Sequence, residues 1–266
     1  MRHQTANKAV HFSRAALIKP VLDYLESRGV TVEKYLVKAG ISPQQMRDAV
    51  TPIPRSLIFR FVNEVCLEES IEDIGLEVGQ TTSLRMMGEF GATLLGEKNI
   101  GDYLECGCRL ISTASSGDYY WLVEGDRQTR FCASVAGLDE EDAVQNYLYI
   151  ILATINTIRD AASDDWTPSK ITIPGIKPRS VVRLAEILPG ATILPEGKYA
   201  SFSIPDALLA LPMRSSARPA EAGKTTLPHG FADSFAQLLE TLVVTGHSDL
   251  QSAADATDLS RRTLQR

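Results

Sequence analysis

The stretch "DYYWLVEGDRQTRFCASV", Asp118 to Val135, decides the fold class. Its arms "DYYWLVE" and "TRFCASV" alternate with period two around the turn "GDRQ", Gly125 to Gln128, the pattern of a β-hairpin. Tyr119, Trp121 and Val123 share one face of the first arm. Phe131, Ala133 and Val135 of the second arm are expected to pair with them. On both sides of this stretch the period returns to that of helices. Residues 14–80 read mostly as helix. "RAALIKPVLDYLESRG" places Leu17, Val21, Leu22 and Leu25 on one face, with Gly29 as a stop. "SPQQ", Ser42 to Gln45, has capping-box spacing, and "PRSLIFRFVNEVCLEE" carries the stripe Leu57, Phe61, Val65. Small residues Gly88, Gly91 and Ala92 among Leu84, Phe90, Leu94 and Leu95 predict a helix packed closely on another backbone. A further helix is expected over 99–112. After the hairpin, "LDEEDAVQNYLYIILATINTIRDAA" opens with acids, as a helix dipole favours. It is apolar nearly all round, so it is expected to be buried. "KITIPG" and "YASFSIP" read as short strands on either side of the helical "PRSVVRLAEIL". Helices, a hairpin, then a mixture of both make this an α+β chain, helix-rich with a small sheet.

Composition narrows the function classes. The chain has 266 residues, 44% of them hydrophobic and 23% charged, which is ordinary for a soluble globular protein. No apolar run reaches the roughly 18 residues of a membrane span; the longest is "YLYIILATI", Tyr147 to Ile155. The N-terminus lacks the apolar core of a secretory signal. Cys66, Cys106, Cys108 and Cys132 form no spaced framework, so a reducing cytoplasm is expected. A net charge of −6 argues against polyanion binding by the whole chain, yet leaves room for a small DNA-reading module on an acidic body. "MRSSARPAEAGKTTLP", Met213 to Pro228, reads as a linker. The expected organisation is a body over 1–212, a linker over 213–228 and a helical module over 229–266.

Catalytic chemistry is thinly represented. The four histidines are His3, His11, His229 and His247, so residues 12–228 hold none. That removes a histidine base, a Ser-His-Asp arrangement and most zinc sites from the body. Cys106 and Cys108 point to different sides of a helix and read as small buried hydrophobes. "GEFGATLLGEK" lacks the G-K-[ST] of a P-loop, and "GLEVG" is no dinucleotide fingerprint. Glu64–Glu77 holds six acids and no base, which reads as a solvated face. No enzyme, cofactor or metal is expected.

The C-terminal "LQSAADATDLSRRTLQR", Leu250 to Arg266, places Leu250, Ala253 and Ala254 on one small apolar face. Asp258 falls at a turn, and Ser260 can cap a second helix. Ser260, Arg261, Arg262, Thr263 and Arg266 then form a polar, basic start to that helix, the layout of a helix-turn-helix. On spacing alone, an ordinary helical hairpin has equal weight. The segment resembles the first helix-turn-helix of the AraC/XylS family of bacterial transcription regulators, through Leu250, Ala254, Leu259, Ser260, Arg262, Thr263, Leu264, Gln265 and Arg266. Asp258 and Thr257 depart from that family's glycine and apolar residue. The body, through "IEDIGLEVGQ", "MMGEFGATLLGEKNIGDYLECGCRLIS", "WTPSKITIPG" and "LPGATILPEGKYASFSIPDALLALPM", resembles the arabinose-binding-like sensor domain of the branch that includes ornithine-utilisation regulators. The resemblance implies a small-molecule effector, promoter DNA, a homodimer, activation as the commoner role, and a second helix-turn-helix beyond a severed first one. The other open reading is a stand-alone binding or interaction domain.

Residues alone name candidates for the effector site. Asn146, Tyr149, Ala153 and Asn156 form a stripe at helical spacing, and buried polar groups there need either a ligand or the neighbouring backbone. Tyr119 and Trp121 can stack on a ligand or belong to the core. Arg130, opposite in face to Phe131, can meet a carboxylate or a surface acid. Glu89 can meet an amine or solvent.

Overall fold

The computed structural model describes residues 10–163 and 165–213, then Phe235, Ala236, Leu238, Leu239, Leu242, Val243, and residues 249–257 and 261–265. The linker expected after Met213 therefore lies outside the described residues, as do Ser260 and Arg266. The architecture is α+β, helix-rich with small sheets.

Two compact units divide the chain. The first holds residues up to Ile71, residues 113–117 and the C-terminal segment from Thr225. Strands β1 (Phe12–Arg14) and β2 (Pro52–Pro54) pair antiparallel in the segment that reads as mostly helix. Three-residue strands with prolines carry too little pattern to be seen in sequence. The Ser116 Oγ accepts from the Phe12 N–H at 3.0 Å, and the Arg14 Nε donates to the Thr113 carbonyl at 2.9 Å. Helix α1 (Ala15–Ser27) is followed by Gly29 at φ 79°, as expected of a stop residue. Its buried side is set by Ile18 and Leu25, and Leu17, Val21 and Leu22 are only half-buried. Helix α2 (Val32–Ala39) packs on α3 (Arg55–Glu68), whose Leu57, Phe61 and Val65 are fully buried as their stripe predicts. The capping box at Ser42 half closes. The Ser42 N–H donates to Gln45 Oε1 at 3.0 Å, but only a 3-10 turn, Gln45–Arg47, follows.

The second unit holds residues 72–112 and 118 onward to Lys224. Its helices are α4 (Ile74–Thr81), α5 (Gly88–Leu95), α6 (Ile100–Ala114, its last two residues counted with the first unit), α7 (Glu140–Ala161), α8 (Pro178–Ile187) and α9 (Asp206–Leu209). Its sheet runs β3-β4-β7-β5-β6, formed by β3 (Asp118–Glu124), β4 (Gln128–Val135), β7 (Ala200–Pro205), β5 (Lys170–Thr172) and β6 (Thr192–Leu194). β6 is an addition to the sequence reading. It lies parallel to β5, with α8 as the crossover, so one βαβ unit sits inside the antiparallel sheet.

The close backbone approach predicted from Gly91 is present. A side chain there would fall on the Leu84 carbonyl, in the 3-10 turn Leu84–Met86 before α5. The "GLEVG" glycines serve the same end on a larger scale. A Cβ on Gly75 would lie against the Gln145 carbonyl, and one on Gly79 would lie 2.8 Å from Leu152 Cβ. α4 thus meets α7 nearly backbone to backbone. α7 also holds both ends of this eight-residue helix: Gln145 Oε1 accepts from the Gly75 N–H, and Asn156 Nδ2 donates to the carbonyls of Gly79 and Gln80, each at 2.9 Å. A helix this short is marginal alone, so these contacts and its buried Leu76 and Val78 make it stand.

The six acids of Glu64–Glu77 are not a plain solvated face. Lys38 pairs with Glu64 and Glu68, Tyr35 donates to Glu69 Oε1 at 2.6 Å, and Arg179 pairs with Glu72. Buried Asp73 accepts from Ser180 Oγ at 2.7 Å and from Arg183 Nη1 at 3.0 Å, and Arg183 also reaches Glu77. Each partner lies far away in sequence, so the chain order hides the compensation.

Burial pushes the Cys106 and Cys108 thiols up to about 11, and Tyr103 up to about 12. These groups bind protons more tightly folded than unfolded, where a free thiol titrates near ~8.5. Stability is therefore fully present below about pH 8 and falls as pH rises through about 11. A urea midpoint lower at pH 10 than at pH 8 is expected, with a smaller drop in a Cys106→Ala, Cys108→Ala chain.

Candidate functional site

The hairpin sets the site, and its register corrects the sequence reading. The four residues Gly125–Gln128 make Glu124 and Thr129 the closing pair, with the Gly125 N–H donating to the Gln128 carbonyl at 2.9 Å. Odd positions of β3 then oppose even positions of β4: Tyr119 faces Ser134, Trp121 faces Cys132 and Val123 faces Arg130. Phe131 and Ala133 pair instead with Leu122 and Tyr120, and Val135 with Asp118. A shift of one residue moves every side chain to the other side of a sheet.

The two sides differ in chemistry. One carries Phe131, Ala133, Ala200, Phe202, Ile204 and Ile171, all buried. Phe131 packs on Tyr120 and Phe202 with ring centroids 5.3 and 5.5 Å away. The other side carries Trp121, Cys132, Ser201 and Thr172 in one cross-strand row, and Val123, Arg130 and Ser203 in the next. Here Tyr119 and Arg130 are exposed, Trp121, Thr172 and Ser203 half-buried, and Cys132 and Ser201 buried.

Trp121 and Tyr199 meet edge to face with centroids 4.8 Å apart. Trp121 is on β3, and Tyr199 stands just before β7, two strands away. Backbones two strands apart are about 9.6 Å from each other, so both rings lean over β4, which carries only Cys132 and Ser134 beneath them. Small residues on the middle strand make this roof possible, and Cys132 and Ser201 are both buried on this side. Tyr199 was not among the sequence candidates. The signal for it was an aromatic at the head of the alternating "YASFSIP".

Other sequence candidates have different surroundings. Asn146 Nδ2 donates to Asp118 Oδ1 at 3.3 Å, and Asn156 holds the end of α4. Tyr149 hydrogen-bonds with Thr82, and burial raises its hydroxyl pKa. These three belong to the α7 seam, apart from Tyr119, Trp121 and Arg130 on the sheet. Glu89 is exposed in the first turn of α5. Asn156→Leu is expected to cost about 2 kcal/mol, since two helix-end carbonyls lose their donor, and chemical denaturation measures it.

In the C-terminal segment, Asp249 caps the helix Leu250–Thr257: Oδ1 accepts from the Gln251 and Ser252 N–H groups, each at 2.9 Å. The Ser252 hydrogen bonds hold the Asp249 carboxyl below its usual pKa. Ala253 and Ala254 are buried, and Leu250 is half-buried. Buried Thr257, which departs from the resembled pattern, satisfies its hydroxyl on the Ala253 carbonyl at 2.8 Å. This helix packs on α3 and on the short helix Arg261–Leu264, where Arg261 and Arg262 are exposed. The side chain of Thr263 lies outside the described residues.

No group of three or more metal-ligating side chains occurs among the described residues, and none of the described helices is long and apolar enough to cross a membrane. The sheet face instead offers ring surfaces, hydroxyls and a cation, which suits recognition of a small molecule.

The chain belongs to the family of the N-terminal arabinose-binding domain of AraC transcription regulators, whose model matches residues 29–213. That span contains the whole sheet. A solved structure, the transcriptional regulator CdpR from Pseudomonas aeruginosa, shares the fold with a TM-score of 0.54 at 14% identity, over 94% of this chain and 78% of that one. No curated protein matches the chain. Family and structural neighbour are both described as regulators of transcription.

Proposed function

We propose that this protein is a cytoplasmic, effector-responsive transcription regulator, of the branch that includes ornithine-utilisation regulators. The 1–212 domain senses a small metabolite on its open sheet face, with amines and amino acids the first classes to test, and mediates dimerisation. The 229–266 segment belongs to the first helix-turn-helix, which reads promoter DNA through Ser260, Arg261, Arg262, Thr263 and Arg266, and the response is activation. The observation that carries this reading is the family match over residues 29–213. The exposed Arg261 and Arg262 beside a capped, small-residue helix support the DNA-reading part. Effector binding shifts the population between arrangements of the DNA-binding segments.

A promoter mobility-shift titration on the full reading frame tests it. Effector is expected to change the DNA affinity, and Arg262→Ala to weaken binding. DNA binding that is absent with and without effector, or a stop codon directly after Arg266, counts against the DNA-reading part.

A further inference from the structure

We propose that the open sheet face takes a small organic anion with a flat apolar body, its charge held between Arg130 and Lys170 and its body against Trp121, Tyr199 and Ser201. This rests on the sensing role proposed above and names the ligand chemistry.

Three observations converge. Ser201 is only 4% exposed. Ser201 lies in the row Trp121–Cys132–Ser201–Thr172, on the half-open side and next to the leaning ring pair. The next row places Arg130 beside Ser203. Continuing the β5–β7 register by one residue brings Lys170 to the other flank of Ser203. Both cations are exposed, and neither forms an ion pair among the described residues.

The rows are about 6.8 Å apart along the strands, within reach of an arginine or lysine side chain. An acid group above Ser203 therefore meets two cations and a hydroxyl, and the body attached to it falls over Ser201 and the rings. A guanidinium fork matches carboxylate and phosphate alike; the rings favour a planar body.

Trp121 and Trp166 are the only tryptophans, so a Trp166→Phe chain isolates Trp121 fluorescence. That chain would be titrated with benzoate, phenylacetate and phenyl phosphate, and with benzamide as the neutral match, up to roughly 10 mM, above the ~1 mM that marks weak binding. Saturable quenching by an anion but not by benzamide is expected. Arg130→Gln should weaken it about 10- to 100-fold, and Ser201→Ala several-fold. The carboxylate and phosphate arms decide which acid group is preferred. Equal binding of benzamide, an Arg130→Gln chain that binds like its parent, or no quenching by any anion overturns the proposal. The sensing role fails separately, if no compound of any charge raises the melting temperature.

Discussion

Gly75→Ala is expected to destabilise the second unit by about 3 kcal/mol, a fall in Tm of roughly 6–12 °C. The sign is the informative part. Alanine is the better helix former by about 1 kcal/mol, so an α4 that merely lay on the surface would gain stability from the change. In this protein the added methyl meets the Gln145 carbonyl oxygen and lies 2.7 Å from its carbon. Those are backbone atoms in the second turn of α7, and no rotamer change moves them. α4 has to withdraw, which loosens Leu76 and Val78 and pulls the Gly75 N–H from Gln145. Gly107, on α6, has nothing within 4 Å of a built Cβ. Gly107→Ala should therefore stabilise by roughly 0.5–1 kcal/mol. Opposite signs for two helical glycines, measured by thermal melts, would establish the close seam.

Asp73→Ala should cost on the order of 3 kcal/mol. The carboxylate is buried and accepts from both Ser180 and Arg183. Its loss leaves the Ser180 hydroxyl, in a residue only 3% exposed, without this partner, and leaves Arg183 to Glu77 alone. Arg179→Ala provides the contrast. Its pair with Glu72 lies between side chains more than half exposed, so water and salt screen it and little change is expected. A urea series on both variants at two salt concentrations measures the difference.

The sequence reveals much of this architecture because periodicity reports burial. The α3 stripe, the all-round apolar α7 and the period-two arms of the hairpin each announce their element. It conceals what depends on partners remote in the chain. β1, β2 and β6 have three residues each, too few to show a period. The acids of Glu64–Glu77 look unbalanced because Lys38, Arg179 and Arg183 are dispersed. "GLEVG" shows two glycines but not the helix they admit. The proposed site is half legible: residue type marks Trp121 and Arg130, whereas Tyr199 and Ser201 join them only through the β4–β7 register. Asn146, Tyr149 and Asn156 stand out as polar groups on a buried helix, and they meet Asp118, Thr82 and the α4 carbonyls.

The central claim, that this family member senses a small molecule on its open sheet face, is tested most directly by melting the chain and its Trp121→Ala variant against a graded panel of amines, amino acids, sugars and organic anions. The account predicts that at least one class raises Tm, the rise growing with the logarithm of concentration beyond Kd, and that Trp121→Ala abolishes it. A flat Tm across the panel, or a rise that Trp121→Ala leaves intact, would contradict it.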